Sequence, residues 1–228
     1  MRSAGPLPPF VERADDGVGH SAGTAPARST QRLVDFAELV TFVGVLNLLV
    51  MVTTLAGGVL LGWPAALAAA VACSRQRLIG DDRPVIRSFL THWRQQFLRA
   101  NLLQAPGNLL VLVLLVNHLA LAGSQSVLAA AIIAACAVVV VNQMIVVTMD
   151  AHYELGVGPC LYLATRFMIH SPGAPLLLSA TLVMLLLAVL LLPGLLPVFA
   201  IGTAVHLCTG LCLSFFAAND QLMAGHHH

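Results

Sequence analysis

The 228-residue chain is 58% apolar and 9% charged, with a formal net charge of +1. A soluble globular domain carries about 25% charged residues, and none of this length could bury so much hydrocarbon. The composition therefore excludes an ordinary water-soluble domain, and the near-zero net charge argues against a nucleic-acid partner.

Residues 1–31 are rich in Gly, Pro, Ala and Ser, carry mixed charge and show no hydrophobic period. Such a segment cannot bury enough surface to fold alone and is expected to be a disordered cytoplasmic tail. Its Gly19-His20-Ser21-Ala22-Gly23 run matches the G-x-S-x-G pattern of serine hydrolases in letters only. The chemistry needs a strained strand-to-helix turn on an α/β sheet, which this context does not offer.

No charged residue occurs from Leu39 to Val71, from Ala100 to Met149, or from Phe167 to Asn219. An ionised group at mid-bilayer costs several kcal/mol, so these gaps read as lipid-dissolved segments. The first span is expected over 39–61, with Asp35 and Glu38 at its amino end, where the helix dipole favours negative charge. Gly62-Trp63-Pro64 is expected to break the chain, and a short Ala-rich helix over 64–78 follows. Four clearer spans are expected over 102–121, 127–149, 174–192 and 195–217, with turns at 123–126 and at Pro193-Gly194. Residues 222–228 form a terminal tail whose closing His226–His228 run is either natural or a tag remnant. The fold expected is thus an all-α membrane protein, a bundle of about six transmembrane helices with a basic amphipathic interfacial helix.

All basic residues are arginines, and counting them by loop sets the expected orientation. With the amino terminus inside, every arginine falls on the cytoplasmic side and the opposite loops hold none. Had the 64–78 helix failed to cross, Arg32 and the Arg75–Arg99 cluster would lie on opposite faces. Both termini are therefore expected in the cytoplasm of a multi-pass plasma-membrane protein.

Pro84 to Ala100 reads as the amphipathic helix. Ile86, Phe89, Leu90, Trp93, Phe97 and Ala100 share one face, and Arg87, Thr91, Arg94, Gln95 and Arg99 the other. A basic face opposite aromatics suits anionic headgroups on the cytoplasmic side of the bilayer, while docking under the bundle or on a partner protein are the alternatives.

With the preceding residues, this stretch carries a family resemblance. The break Gly62-Trp63-Pro64-Ala65, an Ala-rich helix with arginines, the turn Gly80-Asp81-Asp82 and the aromatics Phe89, Trp93 and Phe97 follow one another. In this the chain resembles the YesL-like family of bacterial membrane proteins of unknown function. Here Trp63 separates the glycine from the proline, and Ser88 stands where an aspartate commonly precedes the aromatic. Members of that family often look like products of sugar-uptake and sugar-degradation operons. The resemblance therefore implies an accessory or regulatory role beside carbohydrate uptake, with sugar-transporter subunits or a homo-oligomer as partners.

A weak internal echo appears at Pro159, which opens a second short segment carrying Tyr162, Arg166 and His170 at helical spacing before a span. Within the spans, Asn47, Asn108 and Asn142 are expected at similar depth, with Gln104, Gln143 and His206 nearby. Intramembrane polar side chains bond across helices or line a cavity, so this layer is either structural glue or a polar pocket, the latter implying a small solute transporter or channel. A membrane scaffold is the third reading. Ala130 with Ala134, and Ala131 with Ala135, would permit close helix contact.

His118 is read as a half-wet residue near the outer surface. Cys73, Cys136, Cys160, Cys208 and Cys212 form no CxxC pair and are read as free thiols, so no metal or other cofactor is expected. No nucleotide-binding or metalloprotease motif occurs, and an enzyme is the least favoured class.

Overall fold

The computed structural model describes residues 28–81, 83–120, 126–153, 155–192, 194 and 199–225. It divides into two compact units, Met1–Ala37 and Glu38–His228. The expected tail over 1–27, its G-x-S-x-G run, the turn at 121–125 and the His run lie outside the described residues, as do Asp82, Glu154 and Pro193.

Among the described residues the chain forms seven helices and no strand. They are α1 (Arg28–Ala56), α2 (Val59–Leu78), α3 (Val85–Ala120), α4 (Ser126–His152), α5 (Val157–His170), α6 (Gly173–Leu191) and α7 (Ile201–Gly225). In the first unit the described residues are the opening turns of α1, where Gln31 Nε2 donates to Asp35 Oδ1 at 3.0 Å. Helix thus begins within the stretch read as tail, and at the other end α7 runs on to Gly225.

Five helices, α1, α3, α4, α6 and α7, contain stretches long and apolar enough to cross a membrane. The second unit wears its hydrocarbon outside: Val127, Leu190 and Leu191 are among many large apolar side chains left exposed. Polar side chains such as Asn47, Thr53, Gln104, Gln143 and Thr148 are buried instead. That inversion suits a lipid solvent, in which the covered polar groups find their partners inside.

Helix α2, the remaining expected span, lies at the centre of the second unit. Its 20 residues extend about 30 Å, and Ala65 through Ser74 are buried without interruption. It touches α3, α4 and α7. The break before it falls at Gly57-Gly58 and not at Gly62-Trp63-Pro64. Gly58 has φ +72°, the left-handed region open to glycine, and Pro64 sits inside the helix. Gly62 instead marks a close approach, since a Cβ there would collide with the backbone of Thr54.

At its far end α2 closes with Gly80 at φ +80°. The Asp81 N–H donates to Gln76 O at 2.9 Å and the Gly80 N–H to Arg77 O at 3.1 Å, the paired bonds of a Schellman cap.

Helix α3 corrects a second expectation. The amphipathic segment 84–100 and the span 102–121 are one continuous helix of 36 residues. Nothing between Phe97 and Gln104 breaks a helix, and Pro106 is accommodated inside it. Of the small residues on α4 expected to permit close helix contact, Ala130, Ala131 and Ala134 are exposed and Ala135 is half-buried, so neither pair makes that contact within the chain. The alanines of α2 make it instead.

Helices α4 and α6 lie within three residues of their expected ends; α7 runs from Ile201, directly after the helical residues 199–200, and residues 195–198 of its expected span lie outside the described residues. Helix α5 is amphipathic, burying Cys160 and Ala164 and exposing Tyr162, Arg166 and His170.

Candidate functional site: an amide-edged cavity

Helices α2, α3, α4, α6 and α7 form a closed ring of contacts, each touching the next and α7 returning to α2. Inside the ring is a cavity of about 390 Å³. Most of its wall is aliphatic, from Val111, Val140, Leu182, Leu186, Val189 and Val205, with Trp63 and Leu67 from α2. Its polar edge consists of Gln104, Asn108 and Gln143. None of the described residues lining it carries a charge.

The amides are bonded across three helices. Pro64 removes one backbone donor inside α2, and side chains of α3 reach carbonyls in this irregular turn. Gln104 Nε2 donates to Pro64 O at 3.0 Å, and Asn101 Nδ2 to Leu61 O at 3.0 Å. From α4, Gln143 Nε2 donates to Gln104 O at 2.9 Å and to Asn108 Oδ1 at 3.3 Å. Gly107 makes room for this, because a Cβ there would overlap the Gln143 amide.

The cavity stops short of one end of the ring. Beyond its lining, α4 continues through the buried Ile145–Met149, α7 through Cys208, Thr209, Cys212 and Phe216, and α2 through Ala68–Ser74. That same end carries Arg99, whose guanidinium holds the Asp150 carboxylate through Nε at 3.2 and 3.3 Å and through Nη2. Arg99 Nη2 also donates to Leu155 O, tying α3 to the segment after α4. Phe216 closes the same region against His152, Tyr153 and Phe167, with ring centroids 5.3–5.8 Å away. Cys160 is packed there too, and burial pushes its thiol up to about 11.

The expected polar layer is therefore split. Asn108 and Gln143 meet at the cavity, together with Gln104. Asn47 is fully buried elsewhere and caps α7: its Oδ1 accepts the N–H groups of Ile201 at 2.9 Å and Gly202 at 3.1 Å. These are orphan donors at a helix start, costly to leave unmet in an apolar medium. Gly202 permits the approach, since a Cβ there would strike Val43 O. Asn142 is adjacent to Gln143 and so points about 100° away around the helix. Its Oδ1 is buried without a hydrogen bond to any described residue. His206 lies off the cavity with its ring 5.5 Å from Phe42, and its Nδ1 is likewise buried without a hydrogen bond among the described residues.

The expected interfacial residues also divide. Arg87 and Arg94 are exposed and line open grooves with Pro84, Thr91 and Gln95. Phe89 is fully buried, and Trp93 and Phe97 are half-buried and in edge contact at 5.6 Å. Ile86, assigned to the apolar face, is exposed, and Arg99, assigned to the polar face, is turned inward to Asp150. The bend of the buried stripe explains both: from Phe89 through Ala100 to Leu103 and Gln104 it follows the neighbours α3 meets. Sequence alone assigns no role to Asp150 and no cavity role to Trp63 or Leu67; of these only Asp150 carries a signal, as an acid directly after the span expected to end at Met149.

A family model described as a protein of unknown function, DUF624, matches residues 43–118. The uncharacterized protein YesV of Bacillus subtilis strain 168 is 30% identical over 207 residues, covering 87% of this chain and 96% of its own length. No solved structure matches the chain.

Proposed function

Because this chain belongs to the DUF624 family of proteins of unknown function, we propose for it a non-enzymatic role as an accessory or regulatory membrane component beside carbohydrate-uptake machinery. The observation that supports an accessory role over a conduit is the blind cavity. Its polar groups are confined to three amides at one edge that also tie helices together, and packed core separates it from the Arg99–Asp150 end. A permeation path for a sugar needs polar lining along its length, because every unpaired hydroxyl costs free energy. The carbohydrate context itself rests on the resemblance to the YesL-like family.

In this reading the arginine-bearing end faces the cytoplasm of a plasma-membrane protein. Arg87 and Arg94 on the exposed flank of α3 meet anionic headgroups or an uptake subunit. Affinity purification in mild detergent from cells grown on different sugars tests the proposal. A sugar-transporter subunit is expected to co-purify, and deletion of the gene is expected to lower uptake of one sugar. Unchanged uptake together with a stable partner of another kind would replace it with a membrane scaffold.

The amide edge of the cavity favours a second reading, a small solute transporter. That reading requires the purified protein to move solute by itself.

A further inference from the structure

We propose that the cavity ringed by α2, α3, α4, α6 and α7 binds an uncharged, mainly apolar molecule whose single hydroxyl or carbonyl group meets the amides of Asn108 and Gln143.

The volume of about 390 Å³ lies in the range of small-molecule sites and holds about a dozen heavy atoms at about 30 Å³ each. The aliphatic wall supplies no partner for a charge, and transfer of an ion into it would be heavily penalised. The occupant is therefore neutral. A sugar is excluded by the same wall, since most of its hydroxyls would lose water and gain nothing.

The amide edge sets the polar requirement. Gln143 is 7% exposed, yet its Oε1 makes no hydrogen bond with a described residue; only Nε2 is engaged. Asn108 accepts through Oδ1, and its Nδ2 makes none. A free acceptor and a free donor thus stand on two side chains already bonded to one another, with Gly107 leaving the Gln143 amide its place. A hydroxyl group satisfies both by donating to Gln143 and accepting from Asn108. A carbonyl satisfies Asn108 alone. A single water can meet the same two amides, but it leaves the aliphatic remainder of the wall uncovered, which an alcohol with an apolar chain fills as well.

This inference stands apart from the accessory role and can fail without it. One of the two tryptophans, Trp63, lines the cavity and Trp93 does not. In Trp93→Phe protein, quenching of Trp63 by brominated probes therefore reads occupancy. Bromodecanol is expected to quench saturably, bromodecane about tenfold more weakly for want of the hydrogen bond, and bromodecanoate, ionised at pH 8, hardly at all. Asn108→Leu should weaken bromodecanol about tenfold and leave bromodecane unchanged, and Ala204→Phe should abolish saturable quenching by filling the space. Equal quenching by bromodecanol and bromodecane, or by bromodecanoate, would overturn the proposal. So would saturable quenching by a brominated phosphatidylcholine at the same occupancy, which would make the occupant a bilayer lipid. Should Asn108→Leu or Ala204→Phe protein not fold, the four probes on Trp93→Phe protein decide the matter alone.

Discussion

Helices α2 and α6 are nearly equal in length, 20 and 19 residues, and opposite in use. Helix α6 is mostly Leu, Ala and Val, and only 11% of its most apolar stretch is buried. Helix α2 is richer in alanine, carries Arg75 and Arg77 in its last turn, and is buried on every side from Ala65 to Ser74. By hydropathy α6 is the better membrane segment and α2 the weaker. The difference teaches that hydropathy reports how much lipid a helix meets and not how central it is. Small side chains let neighbouring backbones come close, which a leucine-coated helix cannot do.

Substitutions at the two helices should break or uphold this contrast. The largest effect is expected at the entry to α2, where Gly62→Ala forces a methyl group into the Thr54 backbone. A loss of about 3 kcal/mol is expected, read as a fall in the thermal midpoint of purified protein. A change within about 0.5 kcal/mol would show that α1 and α2 do not meet there.

Next comes the clamp at the packed end. Arg99→Ala leaves the Asp150 carboxylate, 9% exposed, without its partner. About 2 kcal/mol is expected after discounting for the 40% exposure of Arg99, with partial recovery in the Arg99→Ala, Asp150→Ala double variant. Additive losses would deny the pairing. Asn47→Ala should cost about 1–2 kcal/mol by uncapping α7, measured the same way. On α6, Leu187→Ala removes a half-exposed side chain and should change stability by less than about 0.5 kcal/mol. A loss as large as that at Gly62 would place α6 in the core and erase the contrast.

Charge gaps and apolar runs made α4 and α6 legible to within three residues, because span length is dictated by bilayer thickness. Tertiary choices were less so. The Gly57-Gly58 pair is itself a turn signal, but it sits inside a longer apolar run, and the proline at 64 drew the break toward itself. Asn47 was recognisable as an intramembrane polar group, yet its partner, the start of α7, lies 154 residues further along. Arg99 and Asp150 are 51 residues apart, and a helical wheel sees only one of them. Asn142 and Gln143 show the limit most simply: equal depth was inferable, equal facing was impossible for adjacent residues on one helix.

The claim beneath all of this is that the cavity is blind. Purified protein in liposomes preloaded with a panel of labelled monosaccharides, alone and without a partner, tests it most directly. Efflux should match that of protein-free liposomes for every sugar; efflux that exceeds it and is abolished by Ala204→Phe would establish a conduit through the ring and contradict the account.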